Sequence, residues 1–236
     1  MSGLATERSI VVISAGLGAP SSSRLLADQM AAAASVAAAE RGVAARLTVV
    51  ELRDLAVDIA QYLVSGTAAS ALRDALRAVE QADGLIVVTP VYSASYSGLF
   101  KSFFDLIDPV SLHDVPVLLG ATGGSMRHSL VLDHALRPLF SYLRAAITPT
   151  GIYAGPDDWA ASDWAASSHG QSELDSELSQ RVVRGAQEFA QAMAHRPVRS
   201  PRALLALPAA AAEPVEQPPA RRQATERLSN GLQATA

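Results

Sequence analysis

The chain of 236 residues contains no cysteine. That removes disulfide scaffolds, thiolate metal sites and cysteine nucleophiles together, and it makes a reducing cytoplasm the expected location. Lysine is almost as scarce, with Lys101 standing against 18 arginines, a bias that with the abundant alanine points to a GC-rich genome more than to any function. No Gly-Lys-Ser/Thr occurs, which excludes a P-loop. A surplus of basic charge is missing as well: the formal charge is −4, so neither nucleic acid nor an anionic membrane is an expected partner. Long apolar runs are absent too. The stretch 9–19 is too short to span a bilayer, and Glu7 and Arg8 before it give no positively charged leader, so it reads as a strand.

What is present is apolar residue in plenty, 49% of the chain, enough for the core of one substantial α/β domain. Three runs, "SIVVIS" (9–14), "GLIVVTP" (84–90) and "VPVLLGAT" (115–122), show no polar alternation, the pattern of strands buried on both faces of a parallel sheet. Weaker strand patterns lie at 45–52 and 145–154. Helical spacing predicts helices over 23–41, 67–82, 98–108, 126–143 and 172–194, with Pro138 kinking or bulging the fourth. This β-α alternation predicts a doubly wound parallel sheet with ligands outside the carboxyl ends of its strands. A domain over 1–195 is expected, followed by a disordered Pro/Ala/Arg-rich tail over 196–236. The tail holds six arginines against three glutamates, which leaves the rest of the chain near −7.

Three loops then carry the chemistry. In "SAGLGAPSSSRLL" (14–26), Ser21, Ser22 and Ser23 open a helix whose unpaired amides and dipole favour an anion, and the clustered hydroxyls suit a phosphomonoester. Gly16-Leu17-Gly18 begins a dinucleotide fingerprint but lacks the third glycine, and Glu51 at the end of the second strand would be the ribose acid in that reading. The plainer reading of the serines is a helix cap in a polar loop. "TPVYSASYSG" (89–98) offers Tyr92, Tyr96 and small residues for close approach to a flat ring, and "GATGGSMRH" (120–128) adds two glycines, Ser125 and His128. A hydrolase built on Ser125 with Asp133 and His128 or His134 lacks the final glycine of a nucleophile elbow. "GPDDWAASDWAASSHG" (155–170) has acids and His169 but no metal-ligand spacing, and no metal is expected.

"PSSSRLLAD", "TPVYSASYSGLFKSFFDLID" and "ATGGSMRHSLVLDHALRPLFSYLRA", in this order, resemble the NAD(P)H-dependent FMN reductases of the flavodoxin-like superfamily, over about 10–155. The branch most resembled supplies reduced flavin to two-component flavin monooxygenases. The resemblance implies a flavodoxin-like doubly wound five-stranded parallel sheet with helices on both faces. It further implies FMN as cofactor or substrate, NADPH or NADH as hydride donor, a homodimer or homotetramer, and a flavin-dependent monooxygenase as partner. Hydride passes between the two cofactors, so no catalytic acid or base is required. By resemblance Gly18, Ser21, Ser22 and Ser23 hold the FMN phosphate, Pro90, Val91, Tyr92, Ser93, Ala94 and Ser95 line the isoalloxazine, and Thr122, Gly123 and Gly124 meet its pyrimidine edge. The amides of Gly123 and Gly124 are candidates to stabilise charge there, and Arg127 and His128 to contact the nicotinamide nucleotide or the flavin edge. Many relatives carry an arginine in the first loop where this chain has Gly16-Leu17-Gly18-Ala19. An FMN-retaining quinone or azo reductase, and a non-enzymatic flavodoxin-like electron carrier, are the alternatives the same loops allow.

Overall fold

The computed structural model describes residues 6–160 and 177–197. Strand β1 (Thr6–Ser14) leads into helix α1 (Ser22–Ala39), then β2 (Val43–Glu51), a 3-10 turn (Leu52–Leu55) and helices α2 (Ala56–Ser65) and α3 (Ser70–Glu80). There follow β3 (Gly84–Tyr92), a short β4 (Ser95–Tyr96), α4 (Gly98–Phe104) and β5 (Pro116–Thr122). Next come a 3-10 turn (Met126–His128), a π-helical turn (Leu132–Leu136) and α5 (Arg137–Tyr142), then β6 (Ala146–Ile147), β7 (Ile152–Ala154), α6 (Pro156–Ala160) and α7 (Glu177–Ala194).

The sheet runs β2-β1-β3-β5-β6, with β7 also parallel to β5 and β4 antiparallel to the end of β3. Side chains alternate between two cores. Ile10, Val12, Ile86, Val88 and Leu118 pack under α1 and α7, whereas Val11, Ile13, Leu85, Val87 and Leu119 pack on the opposite face. Buried alanines along α1, among them Ala27, Ala31, Ala34 and Ala38, suit close approach of that helix to the sheet. On the other face Phe104 packs at a tilt against Phe100 and edge-on against Phe140, with centroids 4.7 Å and 4.9 Å apart. Since the strands adjoining β1 are β2 and β3, successive crossovers diverge there, and ligands of such sheets gather at that switch point.

Three sequence expectations are modified. The strand expected to run to Leu52 ends at Glu51, and residues 53–65, which carry no expected element, complete the 3-10 turn and form α2; Val57, Ala60, Leu63 and Val64 face solvent while Ile59 is buried, so apolar residues surround the helix and no single period stands out. The helix expected at 126–143 is divided into 3-10, π and α segments. Pro138 has no N–H to offer the carbonyl of His134, and the preceding turn widens into the π segment, the bulge that this proline implied. The strand over 145–154 is broken by Thr148–Gly151, where Arg137 donates to the carbonyls of Thr148 (3.0 Å) and Pro149. The last helix is described from Glu177, and the expected tail from 198 onward lies outside the described residues.

At the end of the sheet remote from the loops, buried Arg8 donates to Asp83 (3.3 Å) and to the carbonyl of Arg196, while Asp83 accepts from the Ser9 amide at 2.8 Å. The carboxylate thus ties β1 to the turn before β3. Asp83→Ala leaves a guanidinium buried without its counter-ion, and urea unfolding of this variant is expected to show a loss of about 3–5 kcal/mol.

Candidate functional site

The carboxyl ends of β1, β3 and β5 bring the three loops together. The first is fastened at its start, where the Ala15 amide donates to the Val88 carbonyl of β3 (2.9 Å). Ser21 is extended and caps α1, its Oγ accepting from the Arg24 amide at 3.2 Å. Gly16 makes this return possible, because a Cβ there would lie 1.9 Å from Ser21 Oγ. Gly18 and Ser22 are exposed, so the loop presents its backbone and one hydroxyl to solvent at the positive end of an 18-residue helix.

Ser23 behaves differently. It is buried, and its Oγ lies 2.7 Å from Thr122 Oγ1, itself buried at the end of β5. The resemblance assigned these two hydroxyls to opposite ends of FMN, but the structure joins them to each other. They brace the first loop against the third, and the hydroxyls of this turn that are not joined to the third loop are those of Ser21 and Ser22.

Beside the first loop stands a cluster of charges. Glu51 accepts from Arg24 Nη1 at 2.5 Å and pairs with Arg53 Nη2 at 3.1 Å. Arg24 is also bonded to Asp28 at 2.9 Å, and Arg53 donates to the Gly18 carbonyl at 2.7 Å. The bond to Asp28 above all, with the charges of Asp28 and Glu51, raises the pKa of Arg24 further, against the opposing effect of desolvation. Glu51, the ribose acid of the dinucleotide reading, is thereby engaged by two guanidiniums. Sequence reasoning gave no role to Arg53, which follows β2 outside any motif.

The second loop is a tight hairpin. Tyr92 pairs with Ser95 across Ser93 and Ala94, whose φ values of 49° and 65° are both left-handed, as a two-residue hairpin turn with matching twist demands. Neither is glycine, so the turn carries a strain of about 1–2 kcal/mol per residue. Pro90 and Val91 are half-buried beneath it, Tyr92, Ser93 and Ala94 are exposed, and Ser95 is half-buried. The Ser97 amide bonds Thr89 Oγ1 at 3.1 Å and its hydroxyl caps α4, fixing the hairpin to the sheet.

In the third loop a Cβ at Gly123 would lie 2.3 Å from Tyr153 Oη. The Tyr153 hydroxyl donates to the Ser125 carbonyl at 2.6 Å, and burial raises its pKa, so it remains a donor. The Gly123 amide is bonded to the Ala154 carbonyl at 3.2 Å, which leaves Gly124, exposed at the tip, as the glycine whose amide is available for an anionic edge. Ser125 Oγ accepts from the Arg127 amide and side chain at 3.3 Å, in contrast to the histidine partner a hydrolase would need. Arg127 and His128 meet the second loop: with Ala94, Ser95, Val131 and His134 they line a cavity of about 320 Å³. Among the described residues His128 Nδ1 is buried without a hydrogen-bond partner.

In the 155–170 segment Asp158 is engaged by the Gly155 amide (2.8 Å) and by Arg181 (3.1 Å), while Asp163 and His169 lie outside the described residues. No group of three metal-ligating side chains occurs among the described residues, and no single helix there is long and apolar enough to cross a membrane.

The chain is 43% identical over 150 residues to an FMN reductase (NADPH) of Pseudomonas aeruginosa, covering 64% of this chain and 78% of that protein. It is 41% identical over 157 residues to the NADH-dependent FMN reductase SfnE of Pseudomonas putida, covering 66% and 82%. Among solved structures, an oxidoreductase from Corynebacterium diphtheriae superimposes with a TM-score of 0.72 at 40% identity, over 81% of this chain and all but 1% of its own length. Residues 8–160 match the model of the NADPH-dependent FMN reductase family, and it is to this flavodoxin-like family that the chain belongs.

Proposed function

We infer that the protein is an NAD(P)H-dependent FMN reductase, and the observation that carries this reading is the convergence of three braced loops at the switch point of a flavodoxin-like sheet, in a chain of that family. The donor chemistry fits FMN. An exposed serine and a capping serine that keeps its O–H proton, at the start of a long helix, suit a phosphomonoester; a hairpin of small residues with an exposed tyrosine suits a flat ring. Gly18, Ser21 and Ser22 would hold the phosphate, Pro90 to Ser95 would line the ring, and Gly123 and Gly124 would meet its polar edge. Bound FMN supplies a two-electron acceptor for the nicotinamide hydride, so the chemistry belongs to the cofactors.

The protein's part is orientation. The strained hairpin fixes the backbone along one side of the site, and Tyr153 holds the Ser125 carbonyl so that the loop turns at Gly124. Arg127 and the buried Nδ1 of His128, which has no partner among the described residues, stand at the adjoining cavity, where a cation and a ring nitrogen suit the reduced nicotinamide nucleotide. Leu130 and Tyr142 are exposed on the segment around the π turn while Val131 and Phe140 are buried, a surface that suits a second copy in a homodimer or homotetramer. With few hydroxyls facing the phosphate, the site suits a flavin that leaves in its reduced form for a flavin-dependent monooxygenase.

Titration of apo protein with FMN, FAD and riboflavin by flavin fluorescence, followed by NADH and NADPH oxidation with each, tests this reading. Selective FMN binding with oxidation that rises with added FMN is expected; turnover only with an added quinone or azo dye would favour the flavin-retaining alternative. Replacing Ser21 and Ser22 by alanine should weaken FMN about tenfold to a hundredfold, the worth of one or two bonds to a charged group, with riboflavin little changed. Gly123→Ala, by forcing Tyr153 Oη aside, should lower kcat/KM for FMN at least about tenfold, and adding Tyr153→Phe should restore part of it. Arg127→Ala should raise KM for the nicotinamide nucleotide about tenfold while leaving the FMN Kd unchanged, as loss of one charge-assisted contact predicts.

A further inference from the structure

We propose that Glu51 is a specificity-determining residue that keeps flavin phosphate exchangeable by holding two arginines away from it, an inference that rests on the phosphate site assigned above to Gly18, Ser21 and Ser22. One carboxylate gathers both guanidiniums: Arg24 at Oε1 (2.5 Å) and Arg53 at Oε2 (3.1 Å). Both arginines adjoin the phosphate loop. Arg24 lies in the first turn of α1 and donates its amide to Ser21, and Arg53 donates to the Gly18 carbonyl.

The balance of charge favours release. Asp28 pairs with Arg24 at 2.9 Å and Asp54 with Arg53 at 3.6 Å, so with Glu51 three carboxylates contact two cations. A phosphate dianion arriving at the loop therefore meets no surplus of positive charge, although two arginines stand next to it. The exposures fit such a competition: each guanidinium side chain is 33% exposed, but that of Glu51 only 18%. An incoming phosphate can reach the cations, yet it must draw them from a carboxylate that is partly shielded from solvent and holds them the more strongly for it. Arg53 has a second role as a positioning residue. Its bond to the Gly18 carbonyl turns that oxygen towards a cation, which keeps an acceptor from facing an anion in the same loop.

The test compares wild type with Glu51→Gln, which keeps the side chain's size and removes its charge. The FMN Kd, read from flavin fluorescence at low salt, should fall about tenfold, since one unit of negative charge is removed beside a dianion. Riboflavin, which has no phosphate, should bind as in wild type, and the FMN Kd of the variant should rise more steeply with added salt. KM for FMN should fall with kcat in steady-state turnover, as reduced flavin leaves more slowly. Asp28→Asn, a change at an exposed position, should tighten FMN in the same direction by a smaller factor and serves as a second reading if Glu51→Gln folds poorly. An FMN Kd unchanged in both variants, or FMN and riboflavin tightening together, overturns the proposal. Wild-type protein that binds riboflavin as tightly as FMN would instead overturn the phosphate site itself, and the role of Glu51 with it.

Discussion

Everything in this fold follows from burying β1, β3 and β5 on both faces. A strand with no solvent face must have helices above and below it, so the chain leaves each strand at one end and crosses over a face to begin the next. All the carboxyl ends then lie on one side, and the segments that start the crossovers have to meet there. The site is thus a by-product of how the core is covered: α1 and α7 close one face, α2 to α5 close the other, and the crevice opens where the two sets diverge beside β1.

Convergence alone would give three floppy loops. Each is held instead by a contact to another element: the first by Ala15 to Val88 and by Ser23 to Thr122, the second by Ser97 to Thr89, the third by Tyr153 to Ser125. Close approach is bought with small residues, at Gly16 beneath Ser21 and at Gly123 beside Tyr153. The hairpin is the exception, because Ser93 and Ala94 adopt conformations that glycine would take more easily. Their strain is tolerable because the flanking pairs, Val91 with Tyr96 and Tyr92 with Ser95, over-determine the turn.

The sheet was legible in the sequence wherever burial leaves a mark in composition. "IVVI" and "LIVV" are runs with no polar residue, and both are fully buried. Helix α2 is not legible because most of its apolar residues are exposed, and 145–154 looks like one run because the interruption between β6 and β7 depends on Arg137, a residue from another element. In the site, loop placement followed from glycines, serines and the family resemblance. The pairing of Ser23 with Thr122, 99 residues apart, could not, since a hydroxyl beside a helix start reads equally as cap, ligand or brace until its partner is known. Arg53 and Tyr153 were passed over for the same reason: each acts on a backbone carbonyl, a partner that carries no sequence signature.

The division of the outer strand into β6 and β7 also bears on how the molecule behaves at high concentration. An uninterrupted outer strand offers a row of free amides and carbonyls on which another chain can form hydrogen bonds, and it is a common seed for aggregation. Here that border consists of Ala146–Ile147 and Ile152–Ala154, separated by a segment containing Pro149, with two of the intervening carbonyls already bonded to Arg137. Neither piece is long enough to template a partner, so the arginine that bends this segment also guards that side of the sheet against runaway polymerisation.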